Sequence, residues 1–469
     1  MAVSPKTTTV STKLLAVAER AKQWPHTPLR NVAHVIDPEL LRASFDRLDG
    51  QAARGIDGLS KADYGQEIDR KIADLHARLR PDKDGTSRYR HQPILRVHIP
   101  KAPGKTRPIG ISSVEDKVVQ RAVSDVLTTL YEPVFLPCSY GFRPGRGAHD
   151  AIRDLQQELH TGRYAWVLEA DIQSFFDTVD RERLVEMLRQ RVNEESFLRL
   201  VGKCLRAGVL DGAEYSEPDV GTAQGSILSP LLGNVYLHHV LDVWFEADVK
   251  PRLSGAAHLV RYADDFVILF ADESDAQRVF EVLPKRMGKF GLQLHPDKTR
   301  LVPMARPPRR QDGGKGPGTF DFLGFTIGWC RSLQGHWRVM VHTRTARLSR
   351  AVTAIGELCR RQRHAPLKTQ HAALCQRLRG HYAYFGVSGN NRALGVVREH
   401  VTQLWLKWLN RRSERKHLNW QGYKRILAAF PIPKPRVSVD LWGGSARPSS
   451  GGAGWWKSPS PDLAGAPVR

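Results

Sequence analysis

The chain has 469 residues, 41% of them hydrophobic and 25% charged, the composition of a globular protein large enough for several subdomains. It carries 71 Lys and Arg against 48 Asp and Glu, a formal net charge of +23, which is the electrostatic footprint of a nucleic-acid partner. No run of eighteen apolar residues signals a membrane span, no C-x-x-C pair among five cysteines signals zinc or a disulfide framework, and cysteine usage suits a reducing cytosol.

Residues 1–27 read as a polar, flexible N-terminal segment without the apolar stretch of a secretory signal. Asp37-Pro38-Glu39 opens a helix whose Leu40, Leu41, Phe45 and Leu48 share one face. A turn at Gly55–Gly58 and a helical stretch over 59–80 follow. His91 to Ile111 alternates and turns at Pro103-Gly104, which predicts a β-hairpin. Ser112-Ser113-Val114-Glu115 fits a capping box ahead of a helix through Leu130. Tyr140–Gly147 is a basic, glycine-rich loop, and 148–160 is helical. Tyr164–Asp171 reads as a buried strand ending in an acid, 180–207 as one or two helices, His258–Phe270 as a hairpin, and 274–290 as a helix. Leu301-Val302 and Phe320–Trp329 supply further strands. Strands and helices mix without a βαβ repeat, so the class is α+β. From about residue 335 the texture becomes helical, with helices expected over 342–363, 367–385 and 391–412, and 342–368 carries seven Lys/Arg against one acid. Residues 438–469 are rich in Gly, Ser and Pro and read as a disordered tail.

The segment RYADDFVILF (261–270) places Asp264 and Asp265 inside a run that otherwise calls for burial. Two uncompensated carboxylates there would repel and resist desolvation, and a divalent cation removes that penalty. Asp171, at the end of VLEAD, is the best third carboxylate. Two such strands side by side in a sheet would suit a two-metal site. A helix-capping role for Asp171 is the competing reading.

An ordered set of motifs then resembles the reverse transcriptases encoded by group II introns: IPKAPGKTRPIGI (99–111), SYGFRPGRGAHDAI (139–152), ADIQSFFDTVD (170–180), GTAQGSILSPLLGNVYL (221–237), RYADDFVIL (261–269), GLQLHPDKT (291–299) and FDFLGF (320–325). The resemblance spans about residues 28–437. It implies a right-hand polymerase, with fingers and palm built on antiparallel sheet, followed by an α-helical thumb/maturase domain. The implied divisions are an N-terminal extension and fingers at 28–160, a palm at 161–334 and the thumb/maturase unit at 335–437.

The resemblance makes Asp171, Asp264 and Asp265 the palm carboxylates, with the Ile172 backbone carbonyl as a further metal ligand for two Mg²⁺ ions, Mn²⁺ being a possible substitute. It places Lys101 and Arg107 against the triphosphate of an incoming dNTP, Phe176 under its sugar, Gln224 and Gly225 near nucleotide and template, and Tyr262 at the primer end. Ala223 and Ser226 depart from the family's usual Pro and Gly. Lys298, in HPDKT where the family often has EKT, is a candidate general acid for the leaving pyrophosphate, or else a surface lysine. Arg143 and Arg146 are assigned to the template backbone, a tight structural turn being the alternative. Arg360, Arg361, Arg363, Lys407, Arg411, Arg412, Arg415 and Lys416 are expected to meet phosphates of structured RNA. Tyr382, Tyr384, Phe385, Trp405 and Trp408 read as core. No Cys follows Cys375, so no zinc-linked HNH endonuclease is expected. The expected function is RNA-directed DNA synthesis on an RNA template and DNA primer, joined to binding of intron RNA as a maturase, in the cytoplasm. A domesticated enzyme of phage defence or DNA repair, and a polymerase-inactive RNA-binding maturase, are the rival readings. Monomer and homodimer both stay open.

Overall fold

The computed structural model describes residues 12–443 except 103–104, 213, 218–219, 223–224, 309–314, 333 and 413–416. Its strands, in chain order, are β1 (Ile94–Ala102), β2 (Lys105–Ile111), β3 (Trp166–Asp171), β4 (Val209–Asp211), β5 (Glu214–Ser216), β6 (Ala257–Tyr262), β7 (Asp265–Phe270), β8 (Arg300–Pro303), β9 (Lys315–Phe322), β10 (Phe325–Arg331) and β11 (Trp337–Thr343). They form three sheets of order β2-β1-β4-β5, β6-β7-β3-β8 and β11-β10-β9. Every pairing is antiparallel except β1 with β4.

The sheet β6-β7-β3-β8 is covered on both faces, which explains the unbroken apolar run FVILF. One face buries Leu168, Ala170, Phe266, Ile268 and Phe270 in the first core, where the helix Glu273–Lys289 lies against β3, β7 and β8 and the helices Val114–Tyr131 and Ser229–Leu237 complete the cluster. The other buries Val167, Val260, Val267 and Leu269 against the helix Ala148–His160 and the sheet β11-β10-β9. A third cluster, with Leu378, Leu394, Trp405 and Tyr423 fully buried or nearly so, holds four helices together: Thr345–Arg361, Leu367–Phe385, Asn391–Asn410 and Trp420–Ala429.

Several expectations change. Thr12–Gln23 is a helix that buries Val17 and Ala21 on the first core, and Lys13 pairs with Asp37 at 2.8 Å, so this part of the N-terminal segment is anchored. Residues 59–80 divide into Lys61–Gly65 and Ile68–Leu79, because Glu67 adopts a left-handed φ of 55° between them. The helix after the β1–β2 hairpin is capped one residue later than expected, by Ser113, whose hydroxyl accepts from Asp116 N at 3.1 Å. The proposed palm boundary at 334 falls inside the sheet β11-β10-β9, since WRVMVHT is a strand alternating between buried and more exposed positions.

The start of the expected tail is ordered as well. Val439 bridges Val387, Ser388 Oγ donates to Asp440 Oδ1 at 2.8 Å, and Leu441 is buried in the second core. Residues 444–469 lie outside the described residues. Among the described residues no helix is long and apolar enough to cross a membrane.

Candidate active site

Strand register brings the acids together. β3 lies beside β7, and Asp171 is directly opposite Asp265. Tyr262 is opposite the same Asp265 across the β6–β7 hairpin, so Ala263 and Asp264 are its turn. The spacing of 93 residues between Asp171 and Asp264 is therefore closed by one sheet. Beyond β3, Ile172 bridges Leu294, and the bonds that hold it there run through its neighbours: His295 N donates to Asp171 O and Gln173 N to Gln293 O, both at 2.8 Å.

The carboxylates are crowded and poorly solvated. Burial pushes the Asp265 carboxyl well above its ordinary pKa, and a hydrogen bond shared with Asp171 and the charge of Asp264 push it the same way. Burial also raises Asp264, with Asp171 adding to it while Arg107 and Lys298 oppose. Lys298 Nζ sits 2.5 Å from Asp171 Oδ2, which draws that carboxylate toward the short helix Pro296–Lys298. In this side-chain arrangement no group of three or more His, Cys, Asp or Glu among the described residues encloses an ion. The donor set still fits Mg²⁺ or Mn²⁺: its carboxylate oxygens are hard ligands, and the repulsion that lifts Asp264 and Asp265 is what a divalent cation relieves.

The surrounding candidates divide. Arg107 is exposed on β2, and its charge reaches both Asp264 and Asp177. Lys101 lies on β1, but its side chain, like Gln224, is outside the described residues. Gly225 has φ +107°, and a Cβ there would stand 2.6 Å from Gly110 O, so its loop meets β2 at the one residue type that fits. Phe176 is half-buried, edge-on to the buried Phe175 with ring centroids 5.2 Å apart, and its carbonyl accepts from Thr222 N at 2.6 Å. Tyr262 is half-buried beside Phe142 at 6.2 Å.

Arg143 does not reach for a template. It is buried, pairs with Glu132 at 2.7 Å and donates to the carbonyls of Leu136 and Ser139 at 2.7 and 2.9 Å. A guanidinium in that position folds the loop, which is the structural turn rather than the template contact. Arg146 is half-buried and similarly engaged, donating to Pro137 O at 2.7 Å and lying over the Tyr140 ring. On the helical unit Arg360, Arg361, Lys407 and Arg411 are exposed, whereas Arg412 is held by Ala365 O at 2.6 Å and Arg363 by Arg360 O at 3.2 Å. Arg415 and Lys416 fall outside the described residues. Tyr382 and Trp405 are core, as expected.

Sequence reasoning gave Arg261 no role and read Tyr384 only as core. Arg261 is fully buried against Asp242 directly behind the acids. Its signal was an arginine inside a strand whose neighbours call for burial. Tyr384 donates to Leu323 O at 2.8 Å, and its phenol feels the charges of Tyr262 and Asp265, so a residue of the helical unit stands beside the turn.

Comparison with known proteins agrees with this geometry. Residues 99–327 match the family model described as reverse transcriptase (RNA-dependent DNA polymerase). The chain is 31% identical over 327 residues to Protein YkfC of Escherichia coli (strain K12), which covers 62% of this chain and 80% of that protein. It is 35% identical over 231 residues to the group II intron-encoded protein LtrA of Lactococcus lactis subsp. cremoris, covering 47% of this chain and 37% of LtrA. It is 32% identical over 247 residues to an uncharacterized 91 kDa protein in the cob intron of Schizosaccharomyces pombe, covering 52% and 30%. The chain thus spans about a third of the length of these two intron-named relatives.

Proposed function

The chain belongs to the reverse transcriptase family of group II intron-encoded proteins and is an RNA-directed DNA polymerase, and from that premise we propose that it extends a DNA primer on an RNA template at the Asp171–Asp264–Asp265 cluster and also binds intron RNA as a maturase. The register that sets Asp171 opposite Asp265 at the mouth of the β6–β7 turn is the observation that carries the polymerase reading. Two divalent cations bound there would activate the primer 3′-hydroxyl and neutralise charge on the triphosphate.

This chain's own residues do the rest. Asp171, Asp264 and Asp265, with the Ile172 carbonyl, would hold the cations, and Lys298, now paired with Asp171, would be released from that carboxylate. Lys298, freed beside the triphosphate, gives its proton to the leaving pyrophosphate. Arg107 and Lys101 neutralise phosphate oxygens from the fingers hairpin. Phe176 packs beneath the deoxyribose and leaves no room for a 2′-hydroxyl, and Tyr262 supports the primer terminus. The exposed Arg360, Arg361, Lys407 and Arg411 offer positive charge to RNA phosphates, where shape and backbone dominate recognition.

Primer extension on an RNA template, run beside intron-RNA binding and splicing assays, tests both halves. Asp264→Asn is expected to abolish cDNA synthesis and to leave RNA binding and splicing assistance near wild type. Equal loss of all three in a folded variant contradicts the separation of polymerase from maturase.

A further inference from the structure

We propose that Arg261, with Asp242 and Asn234, is a positioning device that sets the conformation of the catalytic turn, so that the aim of Asp264 and Asp265 is fixed from behind rather than by the strands alone. The inference rests on the polymerase reading of that turn.

The turn needs such a support. Ala263 sits at φ 56°, a left-handed conformation that favours glycine and is strained for a residue with a Cβ. Strained residues persist where their surroundings over-determine them. Here Arg261 Nη1 donates to Ala263 O at 3.0 Å. The remaining donors of the guanidinium are also taken: Nε and Nη2 by the two Asp242 oxygens at 2.7 and 2.6 Å, Nη1 by Asn234 Oδ1 at 2.9 Å, and Nη2 by Ser139 Oγ at 2.8 Å. All five N–H groups of the fork therefore have acceptors, and one of those acceptors is the turn.

A second contact closes the device. Asn234 Nδ2 donates to Gly141 O at 2.6 Å, and Gly141 lies so close to the turn that a Cβ on it would be 2.5 Å from Ala263 N. The strand-like segment that carries Gly141 is itself bonded along β6, with Arg261 N donating to Cys138 O and Tyr140 N to Arg261 O, both at 2.8 Å. Ala263 is thus held at its carbonyl by Arg261 and walled in at its amide by Gly141, and Asn234 ties the two supports together.

The helix behind the turn is shaped for the same end. In an α-helix, Asn234 and Asp242 would be about 80° apart around the axis. His238–Asp242 is π-helical, and its wider turns absorb that excess and bring both side chains onto Arg261. Arg261 and Asp242 are completely buried, with side-chain exposures of 0%. Such a pair adds little net stability over apolar side chains, so directional bonds, not stability, account for it.

The test uses the full chain with three readouts: single-turnover nucleotide incorporation, primer–template affinity by fluorescence anisotropy, and Mn²⁺ binding by electron paramagnetic resonance. Arg261→Lys keeps the charge opposite Asp242 but cannot span five acceptor atoms on four residues. It is expected to slow incorporation at least about tenfold, to weaken Mn²⁺ binding, and to leave primer–template affinity within about twofold. A folded Arg261→Lys protein with wild-type incorporation and Mn²⁺ binding overturns the proposal, as does an equal fall in primer–template affinity. Should Arg261→Lys not fold, Asn234→Ala, which leaves the ion pair intact, decides on the same criteria. Asp264→Asn in parallel separates the two claims. If it polymerises normally, the polymerase reading itself fails; if it is inactive while Arg261→Lys is normal, only the positioning role fails.

Discussion

Replacing Gly141 with Ala tests how tightly the β6–β7 turn is confined. The added Cβ would stand 2.5 Å from Ala263 N, 3.1 Å from Tyr262 C and 3.3 Å from Ala263 Cα. All three are backbone atoms, so no side-chain rotation relieves the clash. To reach an ordinary contact of 3.4 Å the turn or the Gly141 segment must move by about 0.9 Å. Overpacking of this kind destabilises by about 1–3 kcal/mol, which a chain with these cores survives. The chemistry is less tolerant, since a misplacement of about 1 Å can lower the rate about a hundredfold. Gly141→Ala should therefore fold, with a slightly lower melting temperature, and incorporate nucleotides about a hundredfold more slowly in single-turnover assays, with primer–template affinity nearly unchanged. A folded Gly141→Ala protein with wild-type incorporation would show that the turn is free to shift, and the reasoning would be wrong.

Other perturbations separate structure from chemistry. Arg143→Ala leaves the carbonyls of Leu136 and Ser139 without this donor and unpairs the part-exposed Glu132, so it should lower stability by about 1–3 kcal/mol in denaturant titrations while leaving the salt dependence of template binding unchanged. Because burial and neighbouring charge raise Asp264 and Asp265, the metal-free fold gains their stabilisation at low pH and loses it as pH rises through their raised pKa values. Asp265→Asn should accordingly melt about 2 °C higher than wild type in EDTA at neutral pH, with the difference shrinking toward pH 4, and should show a smaller rise on adding Mg²⁺. Burial pushes His238 down to about 3 and His239 to about 4, so their contribution is complete above the unfolded value near 6.5 and is lost as pH falls below it. His238→Gln should flatten the decline in melting temperature between pH 6.5 and 4.

The central sheet and its acids were legible because the sequence states them twice, as apolar runs and as carboxylates those runs could not otherwise tolerate. VLEAD and YADDFVILF needed only to be neighbours, and β3 and β7 are. The misreadings share a different cause. Arg143 and Arg261 look alike in sequence to surface arginines, yet both are buried, and the partners that make this tolerable come from the fold. Arg261 finds Asp242, Asn234 and Ser139 at separations of 19, 27 and 122 residues, a pattern no local window displays. The strand Trp337–Thr343 was absorbed into a helical, basic texture because its edge pairing with β10 lies upstream of where the texture changes. Thr12–Gln23 was lost for the opposite reason: it contributes just two buried side chains, too few to stand out as a face.

The return of the chain at residues 438–441 has a mechanical consequence. The helical unit leaves β11 at Thr343, and Asn390, in the turn between its second and third helices, bonds back to Thr343 at 2.7 and 3.0 Å. The outgoing segment then lies along that same turn, with Ser388 N donating to Val439 O at 3.0 Å, before Leu441 enters the core beneath the sheet. A body fastened at a single point can swivel in any direction, whereas ties at entry and exit, joined by the Tyr384 bond to Leu323 O, oppose swivelling of the helices on the sheet. A version of the protein shortened to residue 437 would lose the exit tie and loosen that joint.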